Sequence, residues 1–282
     1  MLKIFTSIDT SFERLLETLA VLFYCSEYLF ICIIILIILI YLLFTKYFII
    51  PLLYFSWVYY DRNVHNQGLN HWIRRLSIWT YFVNYFPIKL IKTHDLDPRR
   101  TYIFACHPHG LMGCSIVANF GTESTGFSHQ FPGLTPHILT LPEYLLWMPF
   151  KREYWLSLGF DCRKGQALVL VVGGGIEALD AIPNTLRLTL KHRFGFIKMA
   201  LKHGTPLVPV LSFGENNVYN QYEVPKGSII NRIQLLVTRV TGITPPLFYG
   251  RGLFEHTIGY LAHRKPITTV GKYLLYISET FG

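Results

Sequence analysis

Residues 102–110 read Tyr102-Ile103-Phe104-Ala105-Cys106-His107-Pro108-His109-Gly110, an apolar run that ends in two imidazoles. The run predicts a strand, and the proline and glycine that follow predict a turn at its end. Because successive side chains of a strand point to opposite faces, His107 and His109 are expected on the same face. Two imidazoles that converge at a strand end predict a functional site.

Three chemistries could use this pair of histidines. One ring can accept the proton of a hydroxyl nucleophile while the other orients it or stabilises a developing oxyanion. A metal would need a third ligand, and the nearest candidates, His129 and His137, lack ligand spacing. The third chemistry is a cysteine nucleophile, Cys106 or Cys114, activated by a histidine. Taken alone, the motif is equally well interpreted as two hydrogen-bonded turn histidines.

The composition indicates one large domain associated with a membrane. The chain has 282 residues, of which 51% are hydrophobic and 16% aromatic, and its mean hydropathy of +0.33 is high for a freely soluble protein. A formal net charge of +9 suits anionic phospholipid headgroups or a phosphate-rich cofactor. No zinc-finger, RNA-binding or helix-turn-helix signature accompanies the charge, which argues against nucleic acid. Five cysteines without paired spacing favour reduced thiols.

The chain divides into three predicted segments. Residues 1–27 form a cytosol-facing or interfacial amphipathic lead, in which apolar side chains recur at helical spacing. These are Phe12, Leu15, Leu16, Leu19 and Phe23. Residues 28–60 form a transmembrane span or a helical hairpin, because no charged residue occurs from Tyr28 to Thr45. Residues 61–282 form the globular domain, which the Lys/Arg excess after the apolar segment places on the cytoplasmic side.

The globular domain alternates strands, helices and glycine turns. The pattern predicts a helix over 71–92, a helix or apolar turn over 111–120, strands over 167–172, 186–190 and 207–213, and a helix over 194–203. This order is typical of an α/β fold, whose ligands bind at the carboxyl ends of strands. The histidine turn, Gly173-Gly174-Gly175 and Gly214-Glu215-Asn216-Asn217 follow three such ends and are expected to share one cleft.

Two further features near these ends have a functional and a plain interpretation. Glu123 lies in the loop beyond the histidines and could orient one imidazole, although it could equally cap a turn. The three glycines from Gly173 could let the backbone approach a phosphate or thioester, but most glycine turns only turn the chain. The Walker and dinucleotide spacings are absent.

Five sequence blocks occur together and in a characteristic order. They are Tyr85-Phe86-Pro87, His107-Pro108-His109-Gly110, Gly173 to Leu179, Ser212-Phe213-Gly214-Glu215-Asn216 and Tyr249-Gly250-Arg251-Gly252. In this combination the chain resembles the monoacylglycerol and type 2 diacylglycerol acyltransferase family, from about Phe12 to about Lys272. Within that family it is most similar to the 2-acylglycerol acyltransferases.

The resemblance implies a lipid-biosynthetic enzyme of the endoplasmic-reticulum membrane with an acyltransferase-type mixed sheet, flanking helices and a cytosol-facing catalytic domain. Such an enzyme transfers a fatty acyl group from acyl-CoA to a monoacylglycerol or diacylglycerol hydroxyl in triacylglycerol synthesis. No metal or redox cofactor is implied, since acyl-CoA is a co-substrate. The expected partners are acyl-CoA, mono- or diacylglycerol and membrane lipid, with a homo-oligomer left open and nucleic acid excluded.

The resemblance also assigns residues. His107 and His109 match the active-site motif, with His109 favoured as the base. Cys114 stands where related phospholipid-type acyltransferases carry an aspartate, so Glu123 is expected to orient the base instead. The residues expected to face substrate are Gly110, Gly173, Gly174, Glu177, Glu215 and Asn216.

Two segments depart from the family pattern. Residues 159–165 are shorter than the corresponding segment, and 273–282 replace a longer tail. Loss of packed elements could cost more than the about 5–15 kcal/mol by which a domain is stable. Two alternatives therefore accompany the main interpretation. One is a wax-type acyl-CoA:alcohol acyltransferase, and the other is a catalytically inactive, truncated membrane homologue.

Overall fold

The computed structural model describes residues 2–61, 69–139, 149–159, 167–253 and 257–271. The two shortened segments of the sequence analysis fall almost entirely on 160–166 and 272–282, outside the described residues. The helices are α1 (Leu2–Ser26), α2 (Cys32–Leu43), α3 (Ile49–Tyr60), α4 (His71–Arg74), α5 (Ser77–Tyr85), α6 (Cys114–Ile116), α7 (Phe127–Gln130), α8 (Lys151–Ser157), α9 (Gly174–Glu177), α10 (Gly195–His203) and α11 (Ile229–Thr241). Glu27–Ile31 and Val117–Gly121 are π-helical, and Ala178–Asp180 and Glu215–Asn217 are 3-10 turns.

The strands form two sheets. They are β1 (Lys89–Lys92), β2 (Tyr102–His107), β3 (Pro136–Leu139), β4 (Ala167–Val171), β5 (Leu207–Phe213), β6 (Asn220–Gln221), β7 (Phe248–Arg251), β8 (Ile258–Gly259) and β9 (Thr268–Gly271). The larger sheet has the order β1-β9-β5-β2-β4-β3, and the smaller antiparallel sheet has the order β6-β7-β8. Among the described strands of the larger sheet, only the β5–β9 pair is antiparallel. The predicted α/β fold with a mixed sheet is confirmed.

Strand β2 lies at the centre of the larger sheet and is buried along its whole length. It pairs in parallel with β4 on one side and β5 on the other. The carboxyl ends of these three strands therefore meet at one edge of the sheet, as predicted, and the loops that follow them lie close together.

Two of the predicted elements are wrong. The helix expected over 71–92 is divided into α4, α5 and β1, and Pro87, which lacks the N–H group that a continuing helix needs, lies just beyond the end of α5. Residues 186–190 form no strand. One of their backbone groups bonds a side chain instead: Thr189 N–H donates to Glu177 at 3.1 Å.

Helix α1 packs on the globular core rather than standing apart from it. Its buried face consists of Ala20, Val21, Tyr24 and Cys25, which pack in one cluster with α5 and the segment after the histidine turn. The predicted apolar face is only partly buried: Phe12, Leu15 and Leu19 are exposed, whereas Phe23 packs against the core cluster. This face of α1 is buried because α5 packs closely against it, and the small side chain of Ala20 permits the close approach.

The apolar segment after α1 is divided into α2 and α3, which pack against each other across the turn at 44–48. Many of its large side chains are exposed, among them Ile33, Ile37, Tyr41, Phe44 and Leu53. In the described part of the chain, no helix is both long enough and apolar enough to cross a membrane, contrary to the expectation of a transmembrane span.

Candidate active site

The two histidines occupy different environments. His107 ends β2 and is buried, and its Nδ1 atom lies 3.9 Å from Glu177 Oε1, too far for a hydrogen bond. His109 is the less buried of the two and borders an apolar cavity between the strand ends and α8. Strand β2 ends at His107, so His109 lies beyond it. The alternation of side chains along a strand, which predicted both histidines on one face, therefore does not apply to His109.

The ring of His109 has one nitrogen fixed by the backbone. Its Nδ1 atom lies 2.8 Å from the carbonyl oxygen of Gly110. Because a carbonyl oxygen can only accept, Nδ1–H is the donor, and the neutral ring keeps its basic lone pair on Nε2. The protein surroundings desolvate the ring and lower its pKa below the usual value, against the opposing effects of Gly110 and Glu177.

Glu177 holds the turn from the glycine block. Its carboxylate accepts the backbone N–H of His109 at 3.2 Å and that of Thr189 at 3.1 Å, and the residue is almost fully buried. Gly173 makes room for it, because a Cβ atom at this position would lie 1.7 Å from Glu177 Oε2. The glycine block thus brings a carboxylate under the histidine turn.

Glu215 supports the same turn from the end of β5. Its two oxygens accept the N–H groups of Cys114 at 2.8 Å and Ser115 at 2.9 Å, and it is fully buried. Burial raises the pKa of Glu215, while the two N–H donors oppose the rise. Gly110 has a positive φ of 64°, and a Cβ atom there would lie 2.5 Å from Glu215 Cγ.

The cavity beside His109 encloses about 210 Å³ and is mostly apolar. Its walls come from the segment after the histidine turn, β3, α8, β4 and the glycine turn. The lining residues are Tyr24, Glu27, His109, Met112, Gly113, Ile116, Val117, Ile138, Leu139, Tyr154, Trp155, Leu158, Leu170, Val171, Gly174 and Gly175. An apolar pocket next to a basic imidazole can hold a hydrocarbon chain while its polar end reacts.

Residues 40–275 match the family model described as diacylglycerol acyltransferase. The chain belongs to the diacylglycerol acyltransferase family.

Several related proteins are similar in sequence to this acyltransferase along most of their length. Diacylglycerol O-acyltransferase 2-like protein 6 from Bos taurus is 41% identical over 92% of this chain and 82% of its own. 2-acylglycerol O-acyltransferase 1 from Bos taurus is 39% identical over 94% and 84%. Diacylglycerol O-acyltransferase 2 from Homo sapiens is 40% identical over 92% and 70%. The prediction of an acyl-CoA-dependent O-acyltransferase is confirmed.

One solved structure, the 1-acyl-sn-glycerophosphate acyltransferase from Thermotoga maritima, superposes over 95% of this chain and 88% of that chain. Its sequence identity is 11% and the TM-score is 0.42.

Glu123 of the acyltransferase does not orient an imidazole. Its carboxylate pairs with the buried Arg74 at 2.9 Å and accepts the N–H of Ser128 at 3.2 Å. Burial alone would raise the pKa of Glu123, but the bonds from Arg74 and Ser128 outweigh it and hold the pKa below the usual value. Arg74 also bonds the carbonyl groups of Phe120 and Leu158, so this pair joins the loops beside the cavity. The carboxylate nearest the histidines is Glu177.

Asn216 lies on another side of the histidine turn. Its Nδ2–H donates to the carbonyl oxygen of Thr185 at 3.0 Å, and its buried Oδ1 atom has no hydrogen-bond partner. It borders a separate cavity of about 180 Å³ together with Pro108 and Ser212. Of the glycines expected to face substrate, Gly174 borders the cavity beside His109, whereas Gly110 and Gly173 make room for the supporting carboxylates.

The cysteine and metal alternatives gain no support in this acyltransferase. Burial raises the pKa of Cys106 and of Cys114 far above the usual range, which disfavours the nucleophilic thiolate. Across the described ranges, no three His, Cys, Asp or Glu side chains converge as a metal site would require.

Sequence reasoning missed Glu27 and Tyr154, which border the same cavity as His109. One signal could have drawn attention to Glu27: it is the acidic residue that immediately precedes the long uncharged run from Tyr28. Tyr154 gave no signal, because aromatic residues are frequent throughout the chain.

Proposed function

We propose that this chain transfers a fatty acyl group from acyl-CoA to a hydroxyl group of a monoacylglycerol or diacylglycerol, with His109 as the general base. The observation that carries the proposal is the ring of His109, which keeps Nε2 basic and borders an apolar cavity. The names of the relatives favour an acylglycerol acceptor.

The proposed reaction needs one base and no metal or redox cofactor. Nε2 of His109 takes the proton of the acceptor hydroxyl, and the oxygen attacks the thioester carbonyl. The carbon–sulfur bond then breaks, and the CoA sulfur leaves with the proton returned by the imidazolium. His107 supports the turn from the strand end, and Glu177 holds the backbone of His109 in place.

We further propose that the protein works at the endoplasmic-reticulum membrane with its catalytic domain on the cytosolic side. The exposed apolar side chains of α2 and α3 support membrane contact, since a patch of this size is unfavourable in water. The basic residues that follow α3 in the sequence support the cytosolic orientation.

The test is transfer of labelled acyl-CoA by microsomes to 2-monoacylglycerol, diacylglycerol or a long-chain alcohol. Wild type is compared with the double variant His107→Ala plus His109→Ala. The matched control is His129→Ala plus His203→Ala, because these two histidines are exposed and do not line the cavity. We expect product from wild type and the control but not from the active-site variant.

Each other result contradicts part of the proposal. Product with the long-chain alcohol alone would establish a wax-type enzyme instead. No product from well-expressed wild type with any acceptor would leave an inactive homologue.

A further inference from the structure

The cavity beside His109 contains a buried carboxylate that the proposed reaction does not use. Glu27 is the first residue of the π-helical turn after α1 and is 1% exposed. It borders the cavity, and among the described residues neither carboxylate oxygen has a partner within hydrogen-bond distance, although the Lys151 ammonium and the Trp155 indole act on its charge. A buried carboxylate whose oxygens accept no hydrogen bond is unfavourable. Its position at a cavity wall therefore points to a ligand that donates the missing hydrogen bond.

A second unpaired polar group borders the same cavity. The hydroxyl group of Tyr154, on α8, is buried and has no hydrogen-bond partner. Burial raises the pKa of this hydroxyl, and the charge of Glu27 raises it further, so the two groups lie within electrostatic reach of each other. The ring of Tyr154 stacks on Phe150 at 5.9 Å and meets Phe23 edge-on at 6.0 Å, which fixes its direction.

The hydrogen-bonding groups of Glu27 and Tyr154 indicate which part of the acyl donor or the acceptor can bind them. A carboxylate accepts hydrogen bonds, and a phenol can donate and accept them. An alcohol hydroxyl matches both, because it can donate to Glu27 and accept from Tyr154. The hydrocarbon chain and the thioester of the acyl donor carry no donor, and anionic phosphates would be repelled by the carboxylate.

We propose that Glu27 and Tyr154 form a hydroxyl-binding subsite that selects acceptors with a second free hydroxyl, and therefore monoacylglycerol over diacylglycerol and long-chain alcohols. This inference rests on the proposed acyl transfer at His109. One hydroxyl of monoacylglycerol reacts at His109, and the other binds the subsite. Diacylglycerol and simple alcohols have only the reacting hydroxyl.

Glu27→Gln and Tyr154→Phe test the subsite with little change in shape. The control is Glu13→Gln, on the exposed surface of α1. We expect kcat/KM for 2-monoacylglycerol to fall about tenfold or more in Glu27→Gln, since a hydrogen bond to a charged group is lost, and somewhat less in Tyr154→Phe. The rates with diacylglycerol and long-chain alcohol should stay at the wild-type level. An equal fall with all three acceptors would overturn the subsite.

Binding separates this inference from the proposed reaction. The probes are a non-reactive 2-monoalkylglycerol ether and its derivative in which one hydroxyl is methylated, added to purified protein in detergent. Wild type should bind the diol more tightly than the methylated probe, and this difference should be smaller in Glu27→Gln, because a neutral amide oxygen is a weaker acceptor than a carboxylate. Equal binding of both probes by wild type would refute the subsite whether or not the protein transfers acyl groups. Absence of transfer together with the expected binding difference would refute the reaction alone.

Discussion

Glu215 and Glu27 are both buried carboxylates near one cavity, and the structure treats them in opposite ways. Glu215 accepts two backbone N–H groups, whereas Glu27 accepts none. The first carboxylate is therefore satisfied by the fold itself, and the second borders open space with its oxygens unpaired. The difference teaches that burial alone does not identify a ligand-binding residue. What matters is whether the protein has already supplied the hydrogen bonds.

The largest effect is expected from His109→Ala, which should slow the reaction with every acceptor, whereas a change at Glu27 should affect only the choice of acceptor. His109→Ala should lower kcat for every acceptor about 100- to 10,000-fold, because a general base contributes that much. Initial rates with saturating acyl-CoA measure this, and His129→Ala is the control. If His109→Ala kept wild-type rates while His107→Ala lost them, the base would be His107.

The satisfied carboxylate should matter for stability. Glu215→Ala leaves the N–H groups of Cys114 and Ser115 without an acceptor, and each unpaired group costs about 1–3 kcal/mol. The free energy of unfolding should fall by about 2–6 kcal/mol. Thermal melting of the purified protein in detergent measures the loss, with the exposed Glu13→Ala as control. A wild-type melting temperature would show that Glu215 is not needed by the fold.

The unpaired carboxylate should behave in the opposite way. Burial raises the pKa of Glu27 to about 7, although Lys151 and the Trp155 indole oppose the rise. Because this folded-state pKa lies above the unfolded value, the folded protein binds the proton more tightly, and stability is lost as pH rises from about 4.5 to 7.

Glu27→Gln cannot ionise, so it should be more stable than wild type at pH 8, by on the order of 3 kcal/mol. Denaturant titrations at pH 5 and pH 8 measure the difference. A variant less stable than wild type at pH 8 would mean that the Glu27 carboxylate stabilises the fold, and the contrast with Glu215 would disappear.

A glycine substitution tests how closely Glu177 must be placed. Gly173→Ala puts a Cβ atom where Glu177 Oε2 lies, so the carboxylate must move away from the N–H of His109. We expect kcat to fall about tenfold, because a displaced base reacts more slowly. Gly195→Ala is the matched control, since nothing lies within 4 Å of its Cβ position. Equal rates in both variants would show that Glu177 does not position the turn.

The smallest expected effect concerns pH. His109 acts in its neutral form, and its pKa lies below the usual value. Activity should therefore fall less than about twofold between pH 7.5 and pH 6.5, and more steeply only below that range. Rates measured across this range with correction for protein stability test the point. A half-maximal rate above pH 6.5 would mean that the titrating base is not the desolvated His109.

The sequence predicted the parts of the site that depend on local pattern. The strand before His107, the glycine turn and the strand 207–213 follow from apolar runs and the residues that interrupt them. Their meeting at one sheet edge follows from the parallel pairing of an α/β fold, and β2 pairs with both β4 and β5 as expected.

The sequence could not predict which carboxylate reaches the histidines. Glu177 lies 68 residues beyond His109, and its contact depends on the register of β2 against β4. Glu123 is nearer in sequence, but in the folded chain it forms an ion pair with the Arg74 guanidinium instead. The alternating leucines of 186–190 looked like a strand because periodicity cannot show that the backbone N–H of Thr189 bonds the Glu177 side chain instead.

Helix α1 has a practical consequence for anyone who wants a water-soluble form of this enzyme. A natural first step would be to delete the amphipathic lead and the apolar segment and to express the rest. Yet Tyr24 and Glu27 belong to the cavity wall, and Tyr24 O–H donates to the carbonyl of Met112 at 2.6 Å, just after the histidine turn. The shortened protein would lack part of the wall of the cavity beside His109, which would then be open to solvent. Replacing exposed apolar side chains of α2 and α3 is therefore the better route to a water-soluble form.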